Sequence, residues 1–175
     1  MDTLRAQLRA IIKREMEQDP AHDIGHLDRV WANANRIAKS EGTANLRVLM
    51  AAAYFHDLVN LPKDAPNRAD ASKMSAKAAA PFLEDLGYSA EEIASAKHAI
   101  AAHSFSAGIP PETPEAEILR DADRLEALGA VGIARTFMVA GTMDRPLLDP
   151  NDPFAANRPL DDQLWSIDHW HLKLL

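Results

Sequence analysis

The chain has 175 residues, the length of one ordinary domain, and with 47% apolar and 26% charged residues it can bury a sizeable core. Its 19 Lys and Arg against 26 Asp and Glu leave a net charge of −7. That acidity argues against general nucleic-acid binding but allows a small phosphorylated ligand held by local cations or a metal. The chain has no cysteine, which excludes disulfides, thiolate zinc sites and cysteine nucleophiles. With no signal peptide and no run near the ~20 apolar residues of a membrane span, a soluble cytoplasmic protein is expected.

Leu4, Leu8, Ile11, Ile12 and Met16 recur at the 3–4 spacing of one helix face, ending near Asp19-Pro20. Leu27, Val30, Trp31, Ala34, Ile37 and Ala38 repeat the pattern over 24–41, with Gly42 as the stop. The segment Asn45 to Val59 holds eight apolar residues without a break, 48–55, so a helix there has no polar face and is buried on several sides. Its three consecutive alanines favour helix over strand. Residues 60–71, with two prolines and several Asn and Asp, read as a loop. A helix follows from about Ser72 to Leu86, closed by Gly87, and Ser89-Ala-Glu-Glu92 has the capping-box spacing for another through about His103.

Beyond a proline-punctuated loop, Thr113 is placed as N-cap and Pro114 at the first helical position. Ile118, Leu119, Ala122, Leu125 and Leu128 mark that helix, to Gly129. A short apolar helix over about 130–140, a Pro/Asp-rich loop and a closing amphipathic helix complete the chain, which ends without a C-terminal helix signal. The expected architecture is all-α, a single domain over 1–175 with seven to eight helices. Trp165 and Trp170 on the last helix suit packing on their own domain better than a dimer face, and the oligomeric state stays open.

His56-Asp57 follows the apolar run directly. Burying an ionised carboxylate there costs several kcal/mol unless a partner compensates it, and no basic residue lies within a helical turn. A divalent metal would compensate the carboxylate and use the imidazole together; the plain alternative leaves Asp57 solvated at a helix end. His26 sits at the edge of the apolar arc of its helix, where a side chain can reach another helix. Asp121 and Asp123 flank the apolar stripe of theirs, and periodicity does not choose between them. His98 and His103, five apart, do not share a face. Lys63, Arg68 and Lys73 cluster around the 60–73 loop, as a phosphate-bearing substrate requires and as charge balance in an acidic protein also would. One His, a His-Asp pair and an Asp on separate helices supply three or four ligands to a divalent ion and leave positions open for water and substrate.

This order of residues resembles the HD-domain superfamily of metal-dependent phosphohydrolases. The matching stretches are His26-Leu-Asp-Arg-Val30, Ala-Ala-Ala-Tyr-Phe-His56-Asp57 and Ile-Leu-Arg-Asp-Ala-Asp123-Arg-Leu. His22-Asp-Ile-Gly-His26 and Ile100-Ala-Ala-His103-Ser104 bring it close to a subgroup of small bacterial HD hydrolases, from about residue 20 to the end. The resemblance implies a helical bundle around a central divalent metal, Mn²⁺, Mg²⁺, Co²⁺, Ni²⁺ or Fe, held by His26, His56, Asp57 and Asp123. It is the resemblance that selects Asp123 over Asp121. His103, with His98 or His22, is implied as a group around the ligands or facing substrate, or as a ligand to a second metal. Some relatives carry an acid three positions after the His-Asp pair, where Asn60 stands here, which leaves the catalytic-base role to Asp57. Related chains also continue past the closing Lys-Leu-Leu, so a final helix covering the site is expected to be missing from this sequence.

The expected activity is metal-assisted hydrolysis of phosphate esters or anhydrides, nucleotides foremost, as a nucleoside triphosphate pyrophosphohydrolase or a phosphatase. Arg29, Lys63, Arg68 and Arg124 are the candidate phosphate contacts. The alternatives are a non-haem iron oxygenase on the same scaffold and a non-catalytic nucleotide sensor.

Overall fold

The computed structural model describes residues 1–17, 19, 21–61 and 65–174, excepting the side chains of 173 and 174. The described residues form eight α-helices and no strand: α1 (Asp2–Glu15), α2 (Ile24–Glu41), α3 (Leu46–Phe55), α4 (Ala71–Asp85), α5 (Ala90–Ala102), α6 (Pro114–Leu125), α7 (Gly129–Thr142) and α8 (Ser166–Leu174). No single helix among them is long and apolar enough to cross a membrane. The chain divides into two compact units, residues 1–125 and 126–175.

In the first unit α3 is the axis. All eight residues from Val48 to Phe55 are buried, and the helix packs against α1, α2, α4, α5 and α6. That surround accounts for the missing polar face. Its start is held twice: the Asn45 side chain accepts the N–H groups of Arg47 and Val48, and the buried Glu115 of α6 accepts the Asn45 N–H at 2.6 Å. Glu115 also accepts the Ser95 hydroxyl at 3.3 Å, so one carboxylate joins α3, α5 and α6. At the far side Asp28 of α2 accepts hydrogen bonds from Arg5 (3.0 Å) and Tyr54 (2.6 Å) and pairs with Arg9, locking α1, α2 and α3 together.

The helix ends follow their local chemistry. Gly42 stops α2 in the left-handed region at φ 71°, which an L side chain adopts only at a cost. Ser89 and Glu92 form the complete capping box of α5, and Thr113 Oγ1 accepts the Ala116 N–H to start α6. Four ends differ from the sequence expectation: α1 stops at Glu15 rather than near Asp19-Pro20, and α8 begins at Ser166, which leaves Trp165 just before it. α3 stops at Phe55 rather than Val59, because Leu58 N–H turns back to Phe55 O and Ser75 of α4 takes the Val59 N–H at 3.0 Å. α6 stops at Leu125 rather than Gly129, which instead begins α7 at φ 64°.

In the second unit α7 and α8 are joined by an irregular stretch whose main chain feeds the start of α8. Ser166 N–H and Ile167 N–H donate to the carbonyls of Pro146 and Leu147. Asp168, 1% exposed, accepts from Arg158 Nη2 at 3.0 Å and from the Asp161 N–H at 2.8 Å. Any side chain at Gly132 would place its Cβ 2.2 Å from the Ala127 carbonyl carbon, so α7 demands glycine there.

Candidate metal centre

Four elements of the first unit deliver the site. His26 lies in the opening turn of α2, whose N-cap Asp23 accepts the His26 N–H at 2.8 Å. His56 and Asp57 occupy the turn into which α3 unwinds, His103 follows the last residue of α5, and Asp123 is carried by α6. Both imidazoles contributed by α2 and the α3 turn are sealed from solvent, whereas the Asp57 and Asp123 side chains are each 15% exposed. The dry floor and partly open carboxylate rim follow from α3 being buried on every side.

The proton positions can be derived. His56 Nδ1 lies 2.9 Å from Ala53 O and His103 Nδ1 lies 2.6 Å from Ile100 O. A carbonyl only accepts, so each Nδ1 carries a hydrogen and each Nε2 is directed to the site. His56 Nε2 is 3.2 Å from Asp57 Oδ2 and 4.0 Å from Asp123 Oδ1. His26 Nε2 is 3.6 Å from Asp57 Oδ2 and 3.5 Å from Asp123 Oδ1, and His103 Nε2 is 3.8 Å from Asp57 Oδ1.

Among these converging atoms His56 Nε2, fully buried, makes no hydrogen bond. Leaving such a nitrogen unsatisfied is costly unless something sits between the groups. Ligands about 2.1 Å from one ion stand about 3.0 Å apart at an octahedral centre and about 3.4 Å at a tetrahedral one, close to the spacings found. His26, His56 and Asp123 form one triad able to hold an ion, and His56, Asp57 and His103 form another. Imidazole nitrogen with carboxylate oxygen suits a borderline divalent cation, and the His56 and His103 Nδ1 protons, each tied to a backbone carbonyl, are the outer support such ligands need. The residues fit a divalent metal.

The electrostatics agree. Burial opposes a charge on His56, yet the Asp57 carboxylate, with Asp123 beyond it, pushes its pKa up to about 9. Burial also opposes ionisation of Asp57, but His56 and the His26 hydrogen bond hold it well below the usual carboxylate range. His103, buried and next to His56, falls to about 4 and stays neutral. In the metal-free protein the His56 proton therefore occupies the place a cation would take.

The structure brings His26, His56, Asp57, His103 and Asp123 together. Asp121 is 57% exposed and paired with Arg120, so the helix register selects Asp123, as the resemblance did. Arg124 is half-buried beside Asp123, with its Nε buried and without a hydrogen bond. Arg29 lies half-buried one turn beyond His26. Arg68 donates to Leu61 O at 3.1 Å within a short 3₁₀ turn. His98 faces elsewhere, its Nε2 accepting the Glu112 N–H at 2.9 Å. Lys63 lies outside the described residues. Sequence reasoning passed over Asp19, whose carboxylate holds His22; the Asp-x-x-His spacing of a side-chain-capped turn was its signal.

A family model described as HD domain matches residues 22–128, a span that takes in every residue of this cluster. The chain belongs to the HD domain family and has the fold of HD-superfamily hydrolases. Among curated proteins it is 33% identical over 129 residues to the uncharacterised protein YpgQ of Bacillus subtilis, covering 71% of this chain and 60% of that protein. The chain thus spans about 60% of the length of the curated relative it matches. The crystal structure of Bacillus subtilis YpgQ in complex with ADP is similar at a TM-score of 0.70 and 30% identity, over 98% of this chain and 77% of that one. A Lactobacillus plantarum structure matches at 0.72 and 27% identity, over 99% and 82% of the two chains. A predicted HD superfamily hydrolase from an uncultured Thermotogales bacterium matches at 0.63 and 34% identity, over 78% and 76%.

Proposed function

We propose that this protein is a metal-dependent phosphohydrolase that cleaves phosphate esters or anhydrides, with nucleotides as its substrates. One observation carries the reading: His26, His56, Asp57 and Asp123 converge from separate elements on a point where His56 Nε2 is buried without a hydrogen bond. The complex of the related YpgQ with ADP supports a nucleotide as the ligand class. The reading treats residues 1–175 as one functional HD domain.

In this proposal His26, His56, Asp57 and Asp123 hold the ion. A divalent ion bound there lowers the pKa of a coordinated water and polarises a phosphoryl oxygen. Asp57 is the catalytic residue. Its Oδ2 faces His26 and His56, and its Oδ1 faces His103 Nε2 at 3.8 Å. Two acceptors at that separation orient the hydrogens of an attacking water and receive its proton. Arg29, Lys63, Arg68 and Arg124 are assigned to the phosphate oxygens, where fixed cations offset the charge that builds on the equatorial positions. His103 is assigned to the substrate side, whereas His98, tied to the Glu112 N–H, is not.

The test is a hydrolysis screen of the full chain with Mn²⁺, Mg²⁺, Co²⁺ or Ni²⁺ and a panel of nucleoside mono-, di- and triphosphates. Phosphate and pyrophosphate are read separately, with Asp57→Ala as control. Pyrophosphate released from triphosphates and lost in the variant identifies a pyrophosphohydrolase, and free phosphate identifies a phosphatase. No release with any metal sinks the proposal.

A further inference from the structure

The matched family span begins at residue 22, so α1 stands outside it. Two side chains of α1 nevertheless reach the helices that carry His26 and the His56-Asp57 turn. Arg5 and Arg9, one helical turn apart, present their guanidinium groups to the same partner, Asp28 of α2. Arg5 Nη2 donates to Asp28 Oδ1 at 3.0 Å, and Arg9 pairs with Oδ2. Arg5 Nε donates to the Tyr54 hydroxyl of α3 at 2.8 Å, and that hydroxyl donates in turn to Asp28 Oδ1 at 2.6 Å. Three side chains from three helices thus close a ring of hydrogen bonds, and Arg9 takes the remaining carboxylate oxygen.

The place of this ring along the chain gives it a role. Tyr54 precedes His56 by two residues and Asp28 follows His26 by two. At the rise of an α-helix the brace stands about 3 Å along each chain from a candidate ligand. Tyr54 is fully buried in the last turn of α3, from which His56-Asp57 departs. Such an end lacks helical partners for its last carbonyls and frays unless it is held. Next to the brace the His26 and His56 rings meet edge-on with centroids 5.3 Å apart. Their Nε2 atoms both face Asp123 Oδ1, at 3.5 and 4.0 Å. The separation of the two imidazoles follows from how α2 is held against the end of α3, and the Tyr54–Asp28 bond joins those two elements.

We propose that α1 is a working part of the metal centre: Arg5 and Arg9 clamp the Asp28–Tyr54 bond, and that bond fixes the spacing of His26 and His56 around the ion. Arg5, Arg9, Asp28 and Tyr54 are positioning residues that act through the two histidines. The inference rests on the metal-centre reading. Displacing the support behind an otherwise complete ligand set costs about tenfold or more in metal affinity.

The experiment uses the full chain, its Tyr54→Phe variant, an Arg5→Gln/Arg9→Gln pair and a Tyr88→Phe control. Tyr88→Phe makes the same chemical change at the other end of α3, where the Tyr88 hydroxyl donates to Arg47 O at 3.0 Å. The arginine side chains are 42% and 31% exposed, so their variant serves should Tyr54→Phe fold poorly. Electron paramagnetic resonance gives the Mn²⁺ dissociation constant and the line shape of the bound ion, which reports the symmetry of its ligands. Denaturant midpoints are measured alongside. The expected result is Mn²⁺ affinity about tenfold weaker in Tyr54→Phe, with a smaller loss in the arginine pair and an altered line shape in both. Tyr88→Phe should lower the midpoint and leave the Mn²⁺ affinity and line shape as in wild type. Mn²⁺ affinity and line shape equal to wild type in Tyr54→Phe and in the arginine pair would overturn the inference alone. An equal loss of affinity in Tyr88→Phe would also overturn it, by tracing the effect to general stability. A wild-type protein that binds no Mn²⁺ would overturn the metal-centre reading together with the inference.

Discussion

At the scale of single residues, His56 concentrates the physics of the site, because it is sealed from water and faces two carboxylates through a nitrogen without a hydrogen bond. Replacing it with alanine removes a donor shared by both candidate triads. His56→Ala should lower Mn²⁺ affinity at least 100-fold and abolish metal-dependent turnover, as equilibrium dialysis with an activity assay would show. A variant that still binds and turns over normally would remove His56 from the site. The titration behaviour gives a second prediction, for the metal-free protein. His103 titrates at about 4 when folded and 6.5 when unfolded, so the unfolded chain binds more protons between those values and stability rises with pH across that window. His56 is raised to about 9 from 6.5, so the folded state binds more protons there and stability falls as pH climbs through that window. Chelator-treated protein should therefore be most stable near pH 6.5. Bound metal replaces the His56 proton, so the alkaline decline should vanish and metal should bind more tightly towards pH 9. Melting curves across the range, with and without Mn²⁺, test both limbs.

At the scale of elements, the ligands are only as well placed as the helices that carry them. α3 presents His56-Asp57 at one end and is anchored at the other by Glu115, which accepts the Asn45 N–H and the Ser95 hydroxyl. Glu115→Ala leaves both donors without that acceptor in a buried setting. It should cost about 1–3 kcal/mol, seen as a lower denaturant midpoint at an unchanged slope. Glu115 is on the helix that also supplies Asp123, so the loss should loosen the metal centre as well. A midpoint equal to wild type would show that water replaces the carboxylate at no cost. The early end of α3 belongs to this scale too. Ser75 of α4 takes the Val59 main chain out of the helix and frees the turn that aims His56 and Asp57 inward.

At the scale of the whole molecule, the ion is expected to be part of the fold's stability. An ion that binds only the folded state adds about 2.7 kcal/mol at one hundred times its dissociation constant. For a protein of this size that amounts to about 5–10 °C in Tm. Saturating Mn²⁺ should raise the Tm by that much in wild type, chelator should reverse it, and His56→Ala should show no shift. An equal shift in the variant would place the stabilising ion elsewhere. The matched family span, 22–128, lies almost wholly within the first unit, 1–125, so the effect should be read in probes of that unit.

Much was legible in the chain alone. Helical periodicity, the Asn45–Val59 segment without a polar face, Gly42, the Ser89–Glu92 capping box and Thr113-Pro114 report local physics, and an all-α chain of seven to eight helices, against the eight described, followed from them. His56 and Asp57 could be singled out because polar groups beside unbroken apolar sequence require compensation, and His26 by its place at the edge of its helix's apolar arc, whereas Asp121 and Asp123 flank the same stripe and no wheel separates them. The register of α6 against α2 and α3 decided that, turning Asp123 to the histidines and Asp121 to Arg120. Tertiary structure alone also detached His98 from the cluster, joined Asp19 and Asn60 around His22, and ended α3 at Phe55. The division has a physical cause: propensity, capping and hydrophobic period act within about one helical turn, whereas the Ser75 bond to Val59 and the Asn60 bond to Asp19 join residues 16 and 41 positions apart.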